Sequence, residues 1–176
     1  MPVCFHNIFI STSCIRFNDP TNSITIDEPE NNGSSQLRSV KIRGFEDIYY
    51  AIKLDLSGHP FLGSLVNDGD LKKTCDALIF ARIKGLDYII LIELKSQTRV
   101  SIPEKFRNCL AIIEYVKSIT NSYYNYNIRN FKQLNLLFDR QPNTRNTSFE
   151  SKIHGVNLKH KGFGKTDVEI DIRGLI

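Results

Sequence analysis

The 176-residue chain is 41% hydrophobic and 24% charged, an ordinary balance for a soluble domain long enough to bury one sizeable core. No apolar run approaches the ~20 residues of a membrane span, and the opening Met1-Pro2-Val3-Cys4-Phe5-His6 has neither the basic start nor the cleavage site of a signal peptide, so a cytoplasmic protein is expected. The net charge of +4 hides an asymmetry, since residues 1–70 hold 5 Lys+Arg against 9 Asp+Glu and residues 71–176 hold 18 against 10; the basic second half suits a polyanionic partner.

Residues 1–36 divide into an apolar opening and a polar remainder. Phe9 to Phe17 reads as a strand, turned by Asn18-Asp19-Pro20 toward a second strand at Ser23-Ile24-Thr25-Ile26, and Glu30 to Ser35 reads as a loop. The four cysteines (Cys4, Cys14, Cys75 and Cys109) fit reduced thiols, and Cys4, His6 and Cys14 lack the paired spacing of a zinc site. From Phe45 the period changes. Phe45, Ile48, Tyr49 and Ile52 fall at i, i+3, i+4 and i+7, which predicts a helix beginning near Gly44. Phe61 to Val66 then reads as a short strand closed by Asn67-Asp68-Gly69-Asp70.

Two apolar, β-branched runs follow, Cys75 to Ile83 and Leu86 to Lys95, with Lys84-Gly85 between them as a hairpin turn. Centring the turn there sets Leu78 against Leu91, Phe80 against Ile89, Arg82 against Asp87 and Asp76 against Glu93. Opposed side chains on one sheet face have Cβ atoms about 5 Å apart. Two carboxylates therefore meet, and Lys95 projects from the same face two residues past Glu93. An acid pair at the end of an apolar hairpin is costly to bury without a counter-ion, and a divalent cation would supply one.

Ser101-Ile102-Pro103-Glu104 has the form of a capping box, and Phe106, Leu110, Ile113, Val116 and Ile119 make the apolar stripe of the helix behind it. Asn121 to Asn127 reads as a loop whose tyrosines either stack on bases or pack at the domain's edge. Leu134 to Phe138 is a buried strand ended by Asp139-Arg140-Gln141-Pro142. Beyond it, Val156 to Leu158 and Val168 to Ile172 are short strands around a Lys159 to Lys165 loop, with Thr144 to Thr147 as another loop. Gly162-Phe163-Gly164-Lys165 lacks P-loop spacing, and His154 and His160 read either as proton donors or, more commonly for isolated histidines in basic loops, as surface groups. Arg145, Lys152, Lys159, Lys161 and Lys165 form a basic stretch suited to phosphate contact or to plain solvation.

Asp76 followed by Glu93-Leu94-Lys95 resembles the PD-(D/E)xK nuclease superfamily, the fold of many restriction, recombination and repair nucleases. The similarity covers the middle of the chain, and Cys75 stands where the family's pattern has proline. The predicted order of helix, three strands, helix and strand agrees with the family's αβββαβ core, an α/β fold in which helices flank a mixed central sheet. The resemblance implies that Asp76, Glu93 and the Leu94 carbonyl hold Mg²⁺, with Mn²⁺ able to substitute, and that Lys95 orients or activates the attacking water. It also implies a further acid from the first helix, for which Glu46 and Asp47 are the candidates. Cleavage would leave a 5′-phosphate and a 3′-hydroxyl, on DNA rather than RNA. Lys105, Arg107, Lys159 and Lys161 are candidate phosphate contacts. The expected organisation is an N-terminal extension (1–36), a nuclease-like core (37–140) and a basic segment completing the same domain (141–176), with a homodimer or partner subunit as a source of specificity. The alternative is a nuclease-fold module without turnover that binds nucleic acid or a protein, as in a defence-system subunit.

Overall fold

The structure, a computed structural model, describes residues 4–9, 14–15, 17–18, 21–27, 39–54, 73–95, 102–140, 147–153, 156–163 and 167–176. The elements are α1 (Cys4–Ile8), β1 (Phe17–Asn18), β2 (Ser23–Asp27), β3 (Ser39–Arg43), β4 (Asp47–Lys53), β5 (Ala77–Ile83), β6 (Leu86–Lys95), α2 (Ile102–Tyr124), β7 (Lys132–Arg140), β8 (Thr147–Ile153), β9 (Val156–Phe163) and β10 (Asp167–Asp171), with a 3₁₀ turn at Ile172–Gly174. They build a mixed α/β architecture of two sheets. The larger has the order β4-β5-β6-β7-β9-β8 and the smaller β1-β2-β3-β10. In the larger, β4-β5-β6 is an antiparallel meander, β6, β7 and β9 run parallel, and β8 closes the far edge antiparallel to β9.

Both faces of the large sheet are covered. Ala77, Ile79 and Ala81 of β5, Ile90 and Ile92 of β6, and Leu136 and Phe138 of β7 meet Ile24, Ile26, Val40, Ile42 and Ile170 of the small sheet. On the opposite face Leu78, Phe80, Ile89, Leu91 and Leu137 meet Phe106, Cys109, Ile113 and Val116 of α2, together with Phe5 and Phe9. A sheet covered on both sides selects near-continuous apolar strands, which is how β5 and β6 read. No helix among the described residues is long and apolar enough to cross a membrane.

Several expectations are corrected. Residues 45–52 are not a helix: Asp47–Lys53 is strand β4, with five consecutive buried residues. The run Ile48-Tyr49-Tyr50-Ala51-Ile52 is buried on both faces, and an unbroken apolar run also satisfies helical spacing by coincidence. A register shift between Ile48 and Tyr50 adds to the irregularity. The described order is therefore three strands, α2 and a strand, with no helix leading into β4; the Phe61–Val66 strand lies outside the described residues. Gly44, at φ +91°, is the corner where the chain leaves the small sheet for the large one.

Of the strand expected from Phe9 to Phe17, residues 10–13 and 16 lie outside the described residues. Phe5 lies in α1 and Phe9 directly follows it; their rings, four residues apart, stack on Tyr50, while Cys14 makes an isolated bridge to Ile52 and Phe17–Asn18 pairs with β2. Helix α2 runs on through Tyr123 and Tyr124, which were expected in a loop, and Asn125 at φ +50° ends it. Its buried stripe centres on Cys109, Ile112 and Ile113, so Leu110 and Ile119 are only partly covered. Residues 159–163, expected in a loop, belong to β9, and Thr147 opens β8. The strands at Ser23–Ile26, Leu134–Phe138 and Val168–Ile172 form close to where periodicity put them.

Candidate metal centre

The hairpin forms in the expected register. Lys84 and Gly85 both take positive φ (48° and 71°), the backbone that a two-residue turn needs to match strand twist. Pairing runs from Ile83 opposite Leu86 to Ala77 opposite Ile92, with Arg82 opposite Asp87. One step further brings Asp76 to Glu93, and Asp76 Oδ2 accepts the Leu94 N–H at 2.5 Å. The Asp76 carbonyl accepts the Leu54 N–H, which ties the acid to the end of β4.

Both carboxylates are withdrawn from water, Asp76 at 4% and Glu93 at 0% exposure. Glu93 continues the face that carries Ile89 and Leu91 toward α2, and the first turn of that helix sends Lys105 onto it. Lys105 Nζ donates to Glu93 Oε1 at 2.8 Å, and Lys95 Nζ stands 4.0 Å from the same oxygen. Glu93 Oε2 is buried and has no hydrogen-bond partner. Desolvation, then the Asp76 charge, push the Glu93 carboxyl up to about 8, against the opposing pull of the two lysines. Asp139 stands beside Lys95 in the parallel β6/β7 pairing and is 8% exposed.

Asp76, Glu93, Lys95 and Lys105 thus converge at the end of β6. Glu46 and Asp47 do not join them. The Glu46 carboxylate accepts the Gly85 N–H (3.1 and 3.0 Å), and Asp47 pairs with Arg82, so both sit at the turn end of the hairpin. The length of β5 separates them from Asp76 by ~20 Å. Arg107 lies on the exposed side of α2, 3.6 Å from Glu104. Leu158 packs on the α2 face of the sheet, so by strand alternation Lys159 and Lys161 belong to the opposite face, where Lys161 lines a cleft with Phe163, Val168 and Glu169. Arg145, His154 and Lys165 lie outside the described residues.

Lys105 as a partner of Glu93, and Asp139 as a neighbour of Lys95, were not foreseen. Lys105 follows Ile102 by three residues and precedes Cys109 by four, which places it on the buried stripe rather than the polar side. Asp139 continues the Asn135, Leu137 alternation of β7 instead of ending the strand.

Close by, Cys75 and Cys109 are buried free thiols. The Cys75 N–H donates to Cys109 Sγ at 3.1 Å, and burial raises the Cys75 thiol pKa. No group of three or more His, Cys, Asp or Glu side chains with metal-holding geometry occurs among the described residues. Two adjacent carboxyl groups would suit Mg²⁺, an ion that keeps several waters and takes one or two carboxylates from a protein. The unpartnered Glu93 Oε2 fits that chemistry. No family model, curated protein or solved structure matches the chain.

Proposed function

We propose that the chain is a Mg²⁺-dependent nuclease hydrolysing phosphodiester bonds, DNA before RNA, in the cytoplasm, on a restriction-endonuclease-like variant of the α/β fold. The observation that carries this reading is Glu93 Oε2, a buried carboxylate oxygen without a partner, beside Asp76 and on the sheet face that bears Lys95. The β4-β5-β6-α2-β7 segment supports it too, since it supplies the strand-strand-strand-helix-strand part of the core that the motif implies.

Asp76, Glu93 and the Leu94 carbonyl would hold the cation, which supplies Lewis-acid stabilisation of the phosphate and a lower water pKa. Asp76 is positioned by the Leu94 N–H, and Glu93 by its seat between β6 and α2. Lys95, 23% exposed at its side chain, reaches toward solvent, where it would meet the developing negative charge and orient the attacking water. Asp139 beside it would help hold the ammonium over the site.

A second reading rests on Lys105. Its 2.8 Å contact already occupies one Glu93 oxygen, as in a module that binds nucleic acid or a partner protein without turnover. Cleavage of plasmid and oligonucleotide substrates with Mg²⁺, Mn²⁺ or EDTA separates the two. The nuclease reading expects metal-dependent cleavage, lost in Asp76→Ala and Glu93→Gln and reduced in Lys95→Ala. Activity unchanged in all three variants overturns it.

A further inference from the structure

Glu93 already holds a cation, and that cation belongs to the protein. Lys105 Nζ lies at hydrogen-bond distance from Oε1, while Lys95 stands 4.0 Å away. The Lys105 side chain is 14% exposed, its helix anchored by Ile102, Phe106 and Cys109, all buried. The carboxyl groups of Asp76 and Glu93 therefore face two ammonium groups, one of them in contact with Glu93. A divalent ion arriving at Oε2 would meet the positive charge of Lys105 on the same carboxylate. The backbone of α2 cannot retreat without opening the core, whereas the four-carbon stem of a lysine can swing.

We propose that Lys105 is the resident counter-ion of the acid pair, and that a divalent cation loads by displacing its ammonium group, which then becomes a donor to a phosphate of the nucleic-acid substrate. This rests on reading the acid pair as a metal centre. It adds a regulation of that centre. Whatever draws Lys105 off Glu93 makes room for the cation, so substrate phosphate and metal bind with positive coupling, and by linkage each tightens the other equally. Metal alone binds weakly because it competes with an internal charge.

The test is a calorimetric titration of Mn²⁺ into the wild-type protein and into Lys105→Met and Lys105→Gln, the latter keeping a donor for Glu93. Both variants should bind Mn²⁺ at least tenfold more tightly. Losing one positive neighbour also favours a proton on the carboxylate, but a divalent ion feels that loss twice as strongly, so the direction stands. A second arm titrates Ca²⁺ with and without a short DNA duplex. The wild-type protein should bind Ca²⁺ at least fivefold more tightly with the duplex present, and the variants should lose most of that gain. If the wild-type protein takes up neither ion, with or without duplex, the metal-centre reading itself falls. If it takes them up, but both variants bind Mn²⁺ within twofold of wild type, Lys105 is a structural partner only and the proposal is overturned. Should neither variant fold, the wild-type arm decides: Ca²⁺ affinity indifferent to duplex overturns it.

Discussion

Replacing Glu93 by Gln should stabilise the metal-free protein, and only above acid pH. The folded-state carboxyl sits at about 8, against an ordinary 4.5 for the unfolded chain. Between those values the folded protein keeps a proton that the unfolded chain releases. Stability therefore falls as pH rises from 4.5 through 8 and levels off beyond. Each unit is worth about 1.4 kcal/mol, so the interval bounds the cost at about 5 kcal/mol, and relaxation around the charge leaves roughly 2–5 kcal/mol. Gln removes that cost, being a mimic of the protonated acid, and Lys105 can move its ammonium toward water. For a chain of this size about 1 kcal/mol moves Tm by ~2–4 °C. Thermal unfolding in EDTA should thus show the variant ~5–15 °C above wild type at pH 8.5 and level with it at pH 4. A difference independent of pH, or a variant less stable than wild type at pH 8.5, would refute the reasoning.

Two further outcomes follow from the fold. Gly44→Ala should lower stability by ~1–3 kcal/mol in denaturant titration, because φ is +91° and an added Cβ would collide with Asp171 Oδ1; the Arg173 partner of that carboxylate limits how far it can yield. Replacing Lys159 and Lys161 together by Ala should leave the salt dependence of DNA binding unchanged, since those positions lie on the sheet face opposite the acid pair. A slope flattened by about two units in fluorescence anisotropy would show that the substrate reaches that face.

The candidate site was legible where local pattern carries the geometry. Lys84-Gly85 fixes the hairpin register from sequence alone, and register delivers Asp76 to Glu93. The lysine that touches Glu93 was harder to read. Lys105 is named by spacing along α2, but its contact depends on how the helix lies across β6. Strand β4 misread as a helix because a doubly buried strand loses the alternation that would identify it. The small sheet was hidden for a different reason. Ser39–Arg43 alternates correctly, with Val40 and Ile42 buried, yet a five-residue strand carries little signal by itself, and its parallel partner is β10.

That partnership governs how the chain can fold. Ser39 pairs with Asp167 across 128 residues, and its hydroxyl donates to the Asp167 carboxylate. Until β10 arrives, β3 has only β2 beside it, and the apolar face formed by Ile79, Ile90 and Leu136 lacks part of its cover. Parallel pairing over so long a loop is slow, because closure entropy must be met before any contact rewards it. A ribosome must thus synthesise everything from β3 through β10 before the small sheet can close. The hairpin bearing the acid pair, joined by two turn residues, needs no such wait. The half of the molecule that carries the acid pair can take shape early, while the other face of the sheet stays sticky until β10 arrives.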